Sequence, residues 1–335
     1  MANLNVNLDA LVCKVESVAG TAETLADADF DLRLHDINLS VNMEIDDEGS
    51  KHATGDHTES ESIPTVKYGT VSFWHYMAWG GAVATAPNWN KLQYGCGAVE
   101  TAYGAAGIEW NPESSYDVKP LTMFLYRKER GGTPAALTFE LAGAMGNCKI
   151  SADATGAPIK CMYEFTGKLI EIDTTANGSL LELTSPDTTI SEKLIGCPFS
   201  IGGTNLSISS FELDYGNVIE GQTNQDDASN TGYDYFAIVD RKPRFSCNPY
   251  QKLASAFDVH DIYTNATVGA ISLATSDSSP HFTLSVPRAQ MMPPTNGTRE
   301  GSGSWELMYK CLRNTAGADA VDVERTWTLL QGATA

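Results

Sequence analysis

The sequence predicts a mostly β protein made of two tandem β-sandwich or β-barrel units, each with one short flanking helix. Three observations carry this. Apolar and polar residues alternate over several stretches, as one-sided strands require. One order of elements (strand, acidic polar loop, strand, short helix, three strands) occurs twice along the chain. The composition, with 9% aromatic residues and 29 glycines among 335 residues, suits sheets and turns.

The elements follow in order. A strand is predicted over 31–45, with Leu39, Val41, Met43 and Ile45 on one face and Asn38, Ser40, Asn42 and Glu44 on the other. Its phase slips between Leu34 and Ile37, which a β-bulge would explain. A polar loop, 46–62, leads to a strand over 65–76. Pro87 and Gly95 bracket a short helix over 88–94. Strands are predicted over 121–127, 136–142 and 159–172. The second half begins with a strand over 206–215, where Phe211, Leu213 and Tyr215 alternate with Glu212 and Asp214. A polar loop, 220–232, and a strand, 233–240, precede a helix over 250–257 that sets Tyr250, Leu253, Ala254 and Phe257 on one face. Strands over 270–275, 281–288, 304–312 and 326–330 complete the chain. Short likenesses accompany the repeat: Asn38-Leu39-Ser40-Val41 with Asn205-Leu206-Ser207-Ile208, and Lys91-Leu92 with Lys252-Leu253. The division expected is an N-terminal arm over 1–28, a first unit over 29–173, a linker over 174–196 and a second unit over 197–335.

Bulk chemistry excludes several function classes. With 22 basic and 42 acidic side chains, the net charge is −20. Such a surface repels nucleic acid and anionic lipid. No segment approaches the roughly 18 apolar residues that cross a bilayer, and the first residues lack the pattern of a signal peptide. The seven cysteines are scattered and never spaced Cys-x-x-Cys. Free, mostly buried thiols in a reducing compartment are expected.

No constellation for catalysis stands out. His52, Asp56 and His57 share a loop, yet no helix fixes the two imidazoles on one face and no cysteine is near. The run Asp27-Ala28-Asp29-Phe30-Asp31 lacks the Gly and Glu of a calcium loop, having Leu32 and Asn38 at those places. Gly-x-Ser-x-Gly, P-loop and dinucleotide fingerprints are absent. Neither enzyme activity, cofactor nor metal is therefore expected. Two basic clusters interrupt the acidity: Arg127, Lys128 and Arg130, then Arg241, Lys242 and Arg244. In an acidic, self-associating protein they are expected to meet acidic patches of a neighbouring copy, setting register and on-rate. The aromatic run Trp74, His75, Tyr76, Met77 and Trp79 is expected in the core or at a subunit contact rather than stacked on bases.

Several segments resemble one family. Lys14-Val15-Glu16-Ser17-Val18-Ala19-Gly20-Thr21, leading into Asp29-Phe30-Asp31-Leu32, is similar to the opening of siphophage major tail tube proteins. Asp240-Arg241-Lys242-Pro243, the segment 249–257, Val268-Gly269-Ala270-Ile271-Ser272-Leu273 and Val286-Pro287-Arg288-Ala289-Gln290 continue the likeness. So does the stretch 301–312, ending at Leu312-Arg313. The resemblance implies tail-tube-type β domains, duplicated here, whose sheets join around a lumen. Rings would stack into the tube of a long non-contractile tail.

Two units per chain then predict a homotrimeric, pseudo-hexameric ring. Closing it removes the open sheet edges. Glu44, Glu212 and Asp214 are expected to line an acidic lumen through which genomic DNA passes without being bound. The loops holding Asp46, Asp47, Glu48 and Asp56, and Asp226 and Asp227, are expected to contact the adjacent ring. With them, the arm 1–28 and the stretch 173–193 would order on stacking. The implied partners are further copies of the chain and the tape measure, tail terminator and distal tail proteins, with no membrane. The implied location is the virion tail, after synthesis in the host cytoplasm. Rival readings are a contractile-tail or injection-system tube, and a baseplate or carbohydrate-binding β module with Trp74–Trp79 as a sugar platform.

Overall fold

The computed structural model describes residues 4–46, 63–80, 82–102, 107–113, 119–129, 135–176, 181–187, 192–275, 281–314 and 325–332. The first half contains β1 Leu4–Val15, β2 His35–Asp46, β3 Ile63–Tyr76, helix α1 Asn90–Gly95, β4 Ala98–Ala102, β5 Gly107–Pro112, β6 Leu121–Glu129, β7 Ala135–Ala152 and β8 Lys160–Ala176. The second contains β9 Phe199–Ile201, β10 Thr204–Asn205, β11 Phe211–Asp214, β12 Asn217–Thr223, β13 Tyr233–Arg241, β14 Arg244–Cys247, helix α2 Val259–Thr264, β15 Val268–Ala274, β16 His281–Met291, β17 Thr295–Arg299, β18 Ser302–Cys311 and β19 Thr328–Gly332.

The protein is mostly β, with large antiparallel sheets. In the first half the pairings run β1–β6–β7–β8–β3–β2. In the second they run β9–β15–β16–β18–β14–β11. The two series have the same path and the same antiparallel sense. They are joined directly: Lys149–Ala152 of β7 pair with Phe211–Asp214 of β11. β19 ties the halves a second time, pairing with β16 on one side and β5 on the other. The hairpin β12–β13 forms a separate two-stranded sheet.

Alternation explains the layering. Val71, Phe73 and His75 of β3, Cys161, Tyr163 and Phe165 of β8, and Leu213 and Phe245 across the joint are all buried. Their neighbours Ser72, Trp74, Asp214 and Arg244 are only partly covered, and Glu164 is exposed. One face of this sheet is thus dry and the other wet. The dry face belongs to a hydrophobic core that includes Leu11, Trp89, Trp110 and Phe165 from the first half and Phe211, Phe282, Trp305 and Leu329 from the second. Glu16, itself buried, pins the turn after β1: it accepts hydrogen bonds from the Thr122 hydroxyl (3.0 Å) and the N–H groups of Gly143 (2.7 Å) and Gly20 (2.7 Å).

The structure departs from expectation in several places. Part of the supposed arm is strand β1, paired with β6 from Asp9 to Val15. Residues within the supposed linker are held on the first half: Thr184 N–H donates to Phe30 O, and Leu194, buried, donates to Ala157 O. The strand expected over 206–215 is only β11, and the loop expected over 220–232 begins inside β12. Asn205 ends β10 while Asn38 lies within β2, so that short likeness does not align equivalent strands. No helix forms over 250–257. There Tyr250 bridges Ser304 in strand fashion, and the helix starts later, where Asp258 accepts from the Asp261 N–H (3.0 Å) as N-cap.

Candidate functional site

The wet face is the surface with the most organised chemistry. It spans eight strands in the order β2–β3–β8–β7–β11–β14–β18–β17. Across its centre, side chains on alternate positions meet in register. Asp214 lies opposite Lys149 on β7 and Arg244 on β14, while Glu212 lies opposite Ser151 and Ser246. Lys149 Nζ is 2.8 Å from Asp214 Oδ2 and 4.0 Å from Glu212 Oε1. Asn147 Nδ2 and the Gly216 N–H donate to the other Asp214 oxygen, at 2.8 and 2.9 Å. Burial works to raise the Asp214 carboxyl, but these three donors hold it below the usual aspartate value. The hydrogen bond to Asp214 is likewise the main reason that Lys149 titrates higher than a free lysine.

Two of the three carboxylates expected on one surface are therefore together there, and they are paired rather than bare. Glu44 is elsewhere. It is exposed near the tip of β2, where its charge raises the Tyr233 hydroxyl pKa, after the larger effect of burial. Lys149 and Asn147 escaped sequence reading because the predicted strand stopped at 142. The alternation Cys148, Lys149, Ile150, Ser151 continues it. Along the wet face from β3 to β18, Lys149, Lys160, Arg244 and Lys310 balance Glu164, Glu212, Asp214 and Glu306 in number. The net charge of −20 is not concentrated on this strip.

Beneath the joint, α1 acts as a plug. Gln93, wholly buried, donates to Tyr163 Oη (2.8 Å) and accepts from Tyr215 Oη (2.9 Å), linking β8 of the first half to the residue that follows β11 in the second. Asn217 Nδ2 donates to Cys96 O and Gly146 O at 2.8 and 2.9 Å. Burial pushes the Cys148 thiol up to about 12 and keeps Cys96 and Cys161 far above an ordinary thiol. All three are inert as nucleophiles.

A groove of about 540 Å³ runs along the wet face between this joint and β3, lined by Asp36, Trp74, Asn147, Lys149, Glu164 and Asn217 among others. Of the aromatic run, only Trp74 and Tyr76 turn to this face, while His75, Met77 and Trp79 are buried. The Trp74 indole stacks on His35 at 4.2 Å, lies 5.2 Å from Lys160 Nζ and donates to Asp36 at 2.6 Å. It is already engaged within the chain and makes a poor sugar platform.

The basic residues are distributed unequally. Arg127 forms a forked pair with Asp9 (3.0–3.2 Å) across β1 and β6. Arg241 donates to Gly97 O and Glu113 O at 2.8 and 2.7 Å, fastening β13 to the turn after α1. Both are committed inside their own chain. Lys242 is exposed and pairs with Asp240 at 2.8 Å, Arg244 donates to Pro243 O, and Lys128 is half-buried. Arg130, Asp47, Glu48, His52, Asp56 and His57 lie outside the described residues, as does the Asp46 side chain. In the turn between β12 and β13, Asp226 is exposed, but Asp227 is enclosed and pairs with Lys168 of β8 at 3.2 Å.

No helix among the described residues is long and apolar enough to cross a membrane. No protein-family model matches this sequence, and neither does any curated protein.

Proposed function

We propose that the chain is a non-enzymatic structural subunit of a phage tail tube, forming homotrimeric rings that stack into a channel for DNA release. The observation that carries this reading is the eight-stranded sheet with one wet face and, among the described residues, an unpaired strand edge at each end, β2 and β17. Unpaired edges of this length are aggregation-prone unless another copy covers them. A twisted antiparallel sheet that closes on itself becomes a barrel, and a wide barrel keeps a wet interior. The two matching pairing series support a duplicated tube-type unit, and the β7–β11 joint supplies a template for joining such units. Repeated head to tail through three chains, it closes a ring of six units.

The charge pattern refines the lining. A wall of balanced, paired charges neither attracts phosphates along a basic stripe nor depends on strong repulsion, which salt screens beyond about 8 Å. DNA can then move past without a preferred stop. Tape measure, terminator and distal tail proteins are the partners this role entails.

Electron microscopy of the purified full chain with helical reconstruction tests the proposal. Stacked rings with a central channel and three chains per ring are expected. Six chains per ring would overturn the trimer. A chain that stays monomeric in sedimentation at high concentration would overturn the tube.

A further inference from the structure

The two units meet once inside the chain, and the way they do so bears on how copies meet. At the internal seam, β11 adds to the outer edge of β7, α1 lies beneath, and Gln93 joins Tyr163 to Tyr215. In the second half, β16 and β17 together follow β18 as β7 follows β8. The place that β11 occupies on β7 corresponds there to the outer edge of β17. Among the described residues nothing pairs with that edge, and β18 is the one strand laddered to β17.

The edge carries usable backbone groups. On the far side of β18, Trp305 N–H donates to Pro249 O and Gln251 N–H to Gly303 O, both at 2.9 Å. Alternation in an antiparallel ladder turns Ser302, Ser304 and Glu306 toward β17, where they face Arg299, Gly297 and Thr295. The N–H and C=O groups of Asn296 and Thr298 therefore point outward. Pro293-Pro294, just before β17, carry no N–H, which restricts pairing on this edge to β17 itself.

Its surroundings look unfinished beside the internal seam. Leu92 in α1 is completely buried beneath the internal seam, whereas Leu253, in the turn after Tyr250, is 81% exposed. Tyr163 Oη is hydrogen-bonded through Gln93, whereas Tyr309 Oη, at the same place on β18, is buried with no partner. At the opposite end of the sheet, β2 pairs with β3 alone among the described residues, as β11 would pair with β14 alone if β7 were removed.

We infer that β17 of one copy receives β2 of the next, antiparallel, with the turn 251–256 covered by the incoming copy. This rests on the tube reading and adds that two chemically different seams alternate around the ring. One is prebuilt and plugged by Gln93. The other is made only on assembly.

Backbone hydrogen exchange on the wild-type full chain, before and after assembly, tests this. Asn296 and Thr298 should exchange freely in the monomer and become protected in rings, together with β2. A second test is Thr298→Pro, which removes one outward N–H and leaves the bonds to β18 in place. It should fold with unchanged near-UV circular dichroism and raise the concentration needed for assembly by about tenfold or more. Rings or tubes in which Asn296 and Thr298 remain unprotected would overturn the seam while leaving the tube reading intact. So would a Thr298→Pro chain that assembles like the wild type. A wild-type chain that never leaves the monomeric state would overturn both.

Discussion

Lys168 and Asp227 form the most enclosed ion pair in the molecule among those described, with side chains 4% and 6% exposed. Burial by itself would raise the Asp227 carboxyl. The Thr231 hydroxyl and N–H, the Ser229 N–H and Lys168 outweigh it and bring the value down to about 2. A carboxyl depressed on folding stabilises the fold above its unfolded value near 4. That contribution fades as pH falls from about 4 through about 2. Asp227→Asn should therefore lower stability at pH 7 by about 3 kcal/mol, since it strands a buried cation. Urea unfolding should show the difference shrinking toward pH 2. Lys149→Met is milder, because its pair is partly solvated: the Asp214 carboxyl should move up toward an ordinary aspartate, as an NMR pH titration would report. Neither partner could be read in advance. The 59-residue separation of Lys168 and Asp227 leaves no periodicity to detect, and a polar loop gives no hint that one of its aspartates is enclosed.

Elements were legible where one face is wet. The alternation in β3 and β18 marks those strands nearly to their ends, because burial on one side writes a period of two into the sequence. It fails where both sides are covered. β1 reads as an arm because Leu11 and Cys13 enter the main core while Val12 enters a smaller cluster with Tyr126 and Ala136, leaving no polar partner face. Leu11→Ala should accordingly cost about 2–5 kcal/mol in thermal or denaturant unfolding, where a free arm would cost nothing. The second helix was misplaced because Pro249 is a start signal that the local pairing of Tyr250 with Ser304 overrides. Its true cap is Asp258, and Asp258→Ala should cost about 1 kcal/mol. The wet face was half legible: Glu212 and Asp214 were found, but their neutralising partner sits on a strand from the other half of the chain.

At the scale of the molecule, repetition in sequence does not mean independence in folding. The halves share strand pairings at β7–β11 and at β5–β19, and side chains of both enter one core. Calorimetry should give a single cooperative transition, and a fragment covering residues 197–335 should not fold stably alone, since β11 and β19 would lose their partners. Two resolved transitions would contradict this. The short sequence likenesses mark the repeat without aligning it, because what the halves share is the path of hydrogen bonds, a property no four-residue match encodes.

One long strand has a mechanical meaning. β7 runs from its ladder with β6, through a bulged bend near Ala142 and Met145, into the seam with β11, while β8 follows it almost throughout. A continuous covalent strand thus runs through both the β6 ladder and the seam with the second half. The two halves cannot slide past one another along the seam without breaking several backbone bonds together. Pulling along β7 loads its ladder in shear, with the force shared among the bonds, instead of peeling them one at a time. A unit built this way is stiff along the strand and yields at its seams first.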